Sequence, residues 1–252
     1  MPRRQSSRIR PSSSATIGVS DRRTAILVFS HRPEREWQNK WFVREDYAKS
    51  RRVAEAFYQH TQQAVEDSSF PVLEVNGAQQ RGDTFGVRLA NALADAFAAG
   101  YERVIAVGSD CPRLHEVDWQ EVASHLEEGT PVLGPTPDRD GTYLIGVTQS
   151  QFERQAFAAL PWKSPSLFSA LARHLSERAR SAPTLLEARD DVNDPAELAA
   201  LMRRRGALPK GPLARLRTIL GPTTHTGRPV ASASKEHLRR PRSRAPPTVL
   251  AG

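Results

Sequence analysis

Residues 24–202 alternate short, continuous apolar runs with longer stretches whose apolar residues recur every three or four positions. Runs of four to six such residues bounded by Gly, Pro or Ser suit strands buried on both faces. The longer periodic stretches suit amphipathic helices. Residues 24–29 (TAILVF) are the first predicted strand, and 46–66 a predicted helix with Val53, Phe57 and Val65 on one face. Residues 71–75 (PVLEV) follow as a second strand. A loop at 76–86 then leads into a helix in which Leu89, Leu93 and Phe97 repeat every fourth residue, with Gly100 as its left-handed stop.

The third predicted strand, 104–107, is the most apolar, and it runs into Gly108 with Asp110 just beyond. Residues 117–126 read as a helix, 131–134 as a strand and 142–147 as another. These last two lie too close for a helical crossover, so the second is expected antiparallel or elsewhere in a mixed sheet. A short helix at 152–160 precedes a longer one in which Ser164 is the expected N-cap and Pro165 the expected first residue. Leu167, Phe168, Leu171 and Leu175 form its buried stripe. Residues 184–187 make a last strand, and Asp194 with Pro195 opens a final helix to about Met202. The order describes a three-layer α/β/α domain, parallel at its start and mixed after Gly134.

Charge changes the picture at the ends. The formal charge of +8 divides into +5 for residues 1–23 and +11 for 203–252, which leaves −8 for 24–202. A basic whole-chain balance points to nucleic acid only where the folded part carries it; here the folded part is acidic. The Arg/Ser-rich residues 1–23 and Arg/Pro-rich 203–252 read as disordered tails around a domain at 24–202. Leu213, Leu216, Ile219 and Leu220 make only a two-turn amphipathic patch, weak evidence for a membrane or partner. The single cysteine, Cys111, excludes an internal disulfide and fits a reducing, cytoplasmic setting. No apolar run approaches the roughly 20 residues of a membrane span.

Ligands of open α/β sheets bind beyond the carboxyl ends of the strands. Three loops qualify: the one after Phe29, the one containing Gly82 and Asp83, and the one containing Asp110. None carries a P-loop, a dinucleotide fingerprint or a nucleophile elbow. Cys111 is a poor nucleophile, because the neighbouring carboxylate raises a thiol pKa. What remains is a set of oxygen ligands: Asp110, Asp138 and Asp140, then Asp190, Asp191, Asn193 and Asp194. Without His or Cys partners, such acids suit Mg²⁺ or Mn²⁺ shared with substrate phosphate. Each also has a plainer role: Asp110, Asp138 and Asp140 as turn residues, Asp194 as a helix cap, Asp191 and Asn193 as ligands or turn formers. Trp37, Trp41 and Phe42, in the loop after the first strand, suit sealing it onto the core more than stacking on a base.

The segments RGDTFGVRLANAL, GSDCPRL, VLGPTPDRDGTYLIG, LPWKSP and DDVNDPAEL occur in that order. Together they resemble the bacterial selenodomain-associated or arsenosugar-type transferases, which are similar to the 2-phospho-lactate and molybdenum-cofactor guanylyltransferases. The resemblance spans about residues 24–202. It implies the GT-A (nucleotide-diphospho-sugar transferase-like) fold with a mixed, mostly parallel sheet. It further implies a glycosyl- or nucleotidyltransferase that uses a nucleotide or nucleotide-sugar donor, a small-molecule acceptor and Mg²⁺ or Mn²⁺. Residue by residue, Asp110, Asp191 and Asn193 match metal ligands. Gly82, Asp83, Gly86, Arg88 and Ser109 match nucleotide-binding positions. Gly141 and Tyr143 match the acceptor side, and Asp110 with Asp140 the catalytic acids. The chain departs from the pattern in its first loop, SHRPEREWQNKW, which has no glycine. Arg32, Arg35 and Lys40 supply charge there, but no amide cradle for a triphosphate. Transfer from a nucleotide-sugar then fits better than transfer from a free triphosphate. The alternative expectation is a catalytically degraded GT-A scaffold whose basic tails contact anionic partners.

Overall fold

A computed structural model describes residues 23–31, 42–138, 140–204 and 211–221. Its elements are β1 (Thr24–Ser30), α1 (Tyr47–Glu66), β2 (Val72–Asn76), α2 (Phe85–Ala98), β3 (Arg103–Val107), α3 (Trp119–Glu127), β4 (Val132–Pro135), β5 (Thr142–Thr148), α4 (Arg154–Ala158), α5 (Leu167–Ala179), β6 (Thr184–Leu185), α6 (Pro195–Arg203) and α7 (Leu216–Leu220). Single 3₁₀ turns at Leu114–Glu116 and Pro212–Arg215 precede α3 and α7.

The six strands form one sheet in the order β2-β1-β3-β5-β4-β6. β1 pairs in parallel with β2 and β3, and β4 in parallel with β6, while β5 runs antiparallel to both β3 and β4. The expected mixed α/β/α architecture is therefore observed, with β5 as the reversed strand. Its reversal follows from the short β4–β5 connection, which closes as a turn where the Thr136 N–H donates to the Gly141 carbonyl at 3.1 Å.

Two apolar clusters cover the sheet. On one face Leu27, Ala106 and Ile145 meet α2 and α5 through Leu93, Leu171 and Leu175. On the other, Ile26, Ile105 and Val132 meet α1 and α3 through Val65, Val122 and Leu126. A third cluster joins the outer face of α1 to α6 and α7, through Phe57, Leu201 and Leu216. All described residues fall within one compact unit.

Local chemistry sets the boundaries. Asp46 caps α1, accepting from the Lys49 N–H at 2.9 Å. Asp194 caps α6, accepting from the Ala196 and Glu197 N–H groups at 2.8 Å with Pro195 as first helical residue. α5 starts later than expected, with Ser166 as its cap. Lys163 takes a left-handed φ of 64°, and Ser164 Oγ accepts from the Ser166 N–H at 3.3 Å, so residues 163–166 form a turn before the helix begins.

The expected disordered tail at 203–252 needs correction in one part. Leu213, Leu216 and Ile219 are buried against α1, so this apolar patch is core and not an exposed docking surface. Residues 205–210 and 222–252 of that tail, residues 1–22, and the first loop with Arg32, Arg35, Trp37, Lys40 and Trp41 lie outside the described residues. Phe42 is buried and stacks on Phe57 with ring centroids 5.8 Å apart, so it seals the end of this loop onto α1.

Candidate functional site

The carboxyl ends of β1 and β3 and the start of β5 open into a cleft of about 610 Å³. Of the expected site residues, Arg88, Ser109, Asp110, Asp140, Gly141, Tyr143, Asp191 and Asn193 all line it. Residues from four separate stretches of chain therefore converge on one place.

Asp110 stands just past β3, and its carboxylate folds back over Gly108. A Cβ on Gly108 would lie 2.8 Å from Asp110 Oδ1, so the absence of a side chain at 108 makes room for the acid. The Val192 N–H donates to the Asp110 carbonyl at 2.9 Å, which draws the late acidic segment alongside. Asp191 and Asn193 are thereby set next to Asp110. Burial pushes the Cys111 thiol up to about 12, with the Asp110 and Asp191 carboxylates adding to the effect and Arg113 and Arg189 opposing it. Cys111 is thus the poor nucleophile expected from its neighbouring carboxylate, although burial, which the sequence did not indicate, is the larger cause.

Asp140 closes the β4–β5 turn at the cleft, where its Oδ1 accepts from Thr136 Oγ1 at 3.0 Å and the Gly141 N–H donates to the same Thr136 Oγ1 at 3.0 Å. Tyr143 is buried, and its hydroxyl donates to the Glu187 carbonyl at 3.0 Å. Its ring lies over Gly134, where a Cβ would come within 2.5 Å of Cζ. Burial raises the phenol to about 12. The hydroxyl of Tyr143 is thus held by the backbone of the late segment.

The loop before α2 divides. Arg88 lines the cleft, and its Nη1 donates to the Gly82 and Asp83 carbonyls at 3.4 and 3.2 Å. Gly82 and Asp83 are exposed and stand outside the cleft lining. Gly82 has φ +127°, and a Cβ there would meet Val87 Cγ1 at 2.4 Å, so it serves the turn that aims Arg88. Gly86 is buried beneath Trp162, and a Cβ would fall 2.3 Å from Trp162 Cδ1 and 2.4 Å from the Ala158 carbonyl oxygen. Its expected approach to a nucleotide is replaced by close packing of α2 on α4 and Trp162.

The cleft also holds residues to which sequence reasoning gave no role. Phe29, Phe85 and Trp162 form a run of aromatic contacts along one wall, with centroids 5.6 and 5.4 Å apart. Trp162 is fixed by donation from Nε1 to the Phe157 carbonyl at 2.9 Å. Lys163 extends over the Phe85 ring at 6.0 Å. Ser30, His31 and Gln80 complete the β1–β2 side, where Gln80 Nε2 donates to the Ser30 carbonyl at 2.9 Å. Their signal in the sequence was position alone, since each follows a predicted strand. Ser30 Oγ and Arg88 Nε are buried without a hydrogen-bond partner among the described residues. Buried polar atoms are normally paired, so these two are exceptions, and both belong to residues that line the cleft.

Among the described residues no group of three or more His, Cys, Asp or Glu is arranged to hold a metal ion by itself. Two carboxylates and an amide form an incomplete, all-oxygen set. Oxygen donors of this kind suit Mg²⁺ or Mn²⁺, which keep waters and substrate phosphate oxygens in their remaining positions, more than the Cys and His donors of structural zinc.

Comparison with known proteins yields a family model and a fold. The model described as "Uncharacterized protein conserved in bacteria (DUF2064)" matches residues 46–164. No curated protein matches the chain. The chain is similar to the crystal structure of a "putative nucleotide-diphospho-sugar transferase from Desulfovibrio desulfuricans G20", at 21% identity and a TM-score of 0.59. The alignment covers 78% of this chain and 94% of that one. At this identity the likeness establishes the GT-A-like fold. Among the described residues no helix is long and apolar enough to cross a membrane.

Proposed function

We propose that the protein is a transferase that takes a nucleotide-sugar donor, with Mg²⁺ or Mn²⁺, and passes the sugar to a small-molecule acceptor. The observation that carries this reading is the hydrogen bond from Val192 to Asp110, which sets Asp191 and Asn193 beside Asp110 at the open end of β3. The fold it shares with the nucleotide-diphospho-sugar transferase neighbour supports the same class.

On this reading Asp110, Asp191 and Asn193 would hold the cation, which when bound would supply positive charge for the leaving phosphate. Ser30 Oγ, Gln80 and Arg88 bind the nucleotide from the β1–β2 side, where the two unpartnered polar atoms stand. The Phe85–Trp162 wall supplies an apolar face for a ring, with Lys163 above it for an anionic group. Asp140 takes the acceptor hydroxyl proton as that oxygen bonds to the sugar carbon and the sugar–phosphate bond breaks. Thr136 orients the carboxylate for this task. The absence of glycine from the first loop favours a diphosphate-linked sugar over a free triphosphate as donor.

A thermal-shift screen of nucleoside triphosphates and nucleotide-sugars tests the reading. A ligand at about one hundred times its Kd stabilises the folded state by about 2.7 kcal/mol. The expected result is a rise in Tm with one or more nucleotide-sugars that requires Mg²⁺ or Mn²⁺. Stabilisation by no nucleotide, or stabilisation equal in EDTA, would contradict it.

A further inference from the structure

A buried cation fastens the two acid-bearing segments together behind the cleft. Arg189 is only 7% exposed and is absent from the cleft lining. Its Nη1 donates to the Arg113 carbonyl and to Glu116 Oε2, the latter at 3.0 Å, and its Nη2 donates to the Glu116 carbonyl at 3.2 Å. The guanidinium also sits 5.9 Å from the centre of the Tyr143 ring. Its backbone N–H donates to the Pro135 carbonyl at 3.0 Å, and three residues on the Val192 N–H reaches the Asp110 carbonyl at 2.9 Å. Outside this layer Arg113 pairs with Glu187 at 3.2 Å. Residues 187–193 are thus tied to residues 110–116 by one internal guanidinium, one backbone bond and one outer ion pair.

Stability alone is a poor account of such an arrangement. Arg189 is buried while Glu116 stays partly exposed, so the guanidinium bears a desolvation cost without a fully buried partner, and even fully buried ion pairs are often matched or exceeded in stability by apolar replacements of similar volume. What the buried charge supplies is a single geometry, because a planar guanidinium satisfies several acceptors only in one orientation. Geometry is also what the acids lack locally. Asp110 lies in irregular chain after β3, and Asp191 and Asn193 lie in irregular chain before α6. Ligand sets function when held to within about half an ångström by a supporting shell.

We propose that Arg189 is a positioning residue that holds Asp110 in register with Asp191 and Asn193. The functional part of the inference rests on the metal reading of that site; the mechanical part does not. The test uses the full chain carrying Arg189→Met or Arg189→Lys, with two readouts. One is Mn²⁺ affinity by electron paramagnetic resonance, with and without a panel of nucleoside diphosphates. The other is amide exchange at Val192, compared with Ile105 in the core strand.

Arg189→Met is expected to weaken Mn²⁺ binding at least tenfold and to speed Val192 exchange at least tenfold, with Ile105 changing less than threefold. Arg189→Lys restores part of both, because an ammonium reaches a carbonyl but not all three acceptors. Unchanged Val192 exchange in Arg189→Met overturns the proposal. Equal acceleration at Val192 and Ile105 also overturns it, since that marks a general packing role. If the wild-type protein binds no Mn²⁺ in either condition, the metal reading fails while the Val192 comparison still decides the clamp. Should Arg189→Met fail to fold, Arg189→Lys and Glu116→Gln carry the same comparison: selective acceleration at Val192 supports the clamp, and its absence overturns it.

Discussion

Replacing Gly86 by Ala should destabilise the protein, although helix propensity alone predicts the opposite. Gly86 is the second residue of α2, where Ala is favoured over Gly by at most about 1 kcal/mol. The new Cβ would sit 2.3 Å from Trp162 Cδ1, 2.6 Å from its Nε1 and 2.4 Å from the Ala158 carbonyl oxygen. The indole has little room to retreat, because it is bonded to the Phe157 carbonyl and packed 5.1 Å from the Phe157 ring and 5.4 Å from Phe85. Moving it gives up a hydrogen bond of about 1 kcal/mol and aromatic contacts of about 0.5–1.5 kcal/mol. Moving α2 instead disturbs the contact with α4. Because the new Cβ meets a backbone carbonyl as well as a pinned indole, the cost falls at the upper end of the roughly 1–3 kcal/mol of overpacking, and after the propensity gain the net loss is about 2 kcal/mol. For a body of this size that is a fall of roughly 4–8 °C in Tm. Urea unfolding followed by tryptophan fluorescence measures it. Adding Trp162→Leu should restore part of the loss but not all, since the Ala158 carbonyl remains in place. A Gly86→Ala protein that melts at or above the wild-type temperature would refute the steric argument.

Three other outcomes follow from the same geometry. Gly108→Ala places a Cβ 2.8 Å from Asp110 Oδ1 and should swing that acid away, lowering Mn²⁺ affinity at least tenfold by titration while Tm changes by only a few degrees. His60 is 3% exposed and burial holds its pKa down at about 4, so the folded state keeps it neutral while the unfolded chain protonates near 6.5. Between these values the unfolded state binds more protons, so stability present above pH 6.5 is lost as pH falls towards 4, by about 3 kcal/mol in all. Urea titrations at pH 4.5 and 7.5 should show this loss in the wild type and a smaller one in His60→Gln; equal losses would remove His60 as the cause. Cys111, with its thiol buried and raised to about 12, should react with a disulfide reagent at pH 8 at least a hundredfold more slowly in the folded protein than in urea. Rapid labelling of the folded chain would contradict the placement.

The helices and strands were legible because periodicity and capping agree. Asp194–Pro195 announces α6, and Leu167, Phe168, Leu171 and Leu175 announce the inward face of α5. The acids of the cleft were legible for a different reason: Asp110 follows the most apolar strand, and strand ends are where α/β proteins bind. What periodicity does not encode is which distant loops meet. The Val192–Asp110 bond, the buried Arg189 and the Phe85–Trp162 wall all join residues separated in the chain, and no local spacing specifies them. Gly86 shows the same limit. A glycine in a loop-to-helix segment signals close approach, but only the fold reveals that the approaching group is Trp162. Leu213, Leu216 and Ile219 were too short a pattern to separate from the Arg/Pro-rich sequence around them, and their role depends on the outer face of α1.

On the proposed function Asp110, seated beside Asp191 and Asn193, would hold a divalent cation on the phosphates of a nucleotide donor. Calorimetric titration of wild-type and Asp110→Asn protein with a nucleotide-sugar, each in Mn²⁺ and in EDTA, tests it directly. The wild type should bind in Mn²⁺ and lose at least tenfold in affinity in EDTA, and Asp110→Asn should bind weakly and equally in both. Metal-dependent binding that survives unchanged in Asp110→Asn would contradict it.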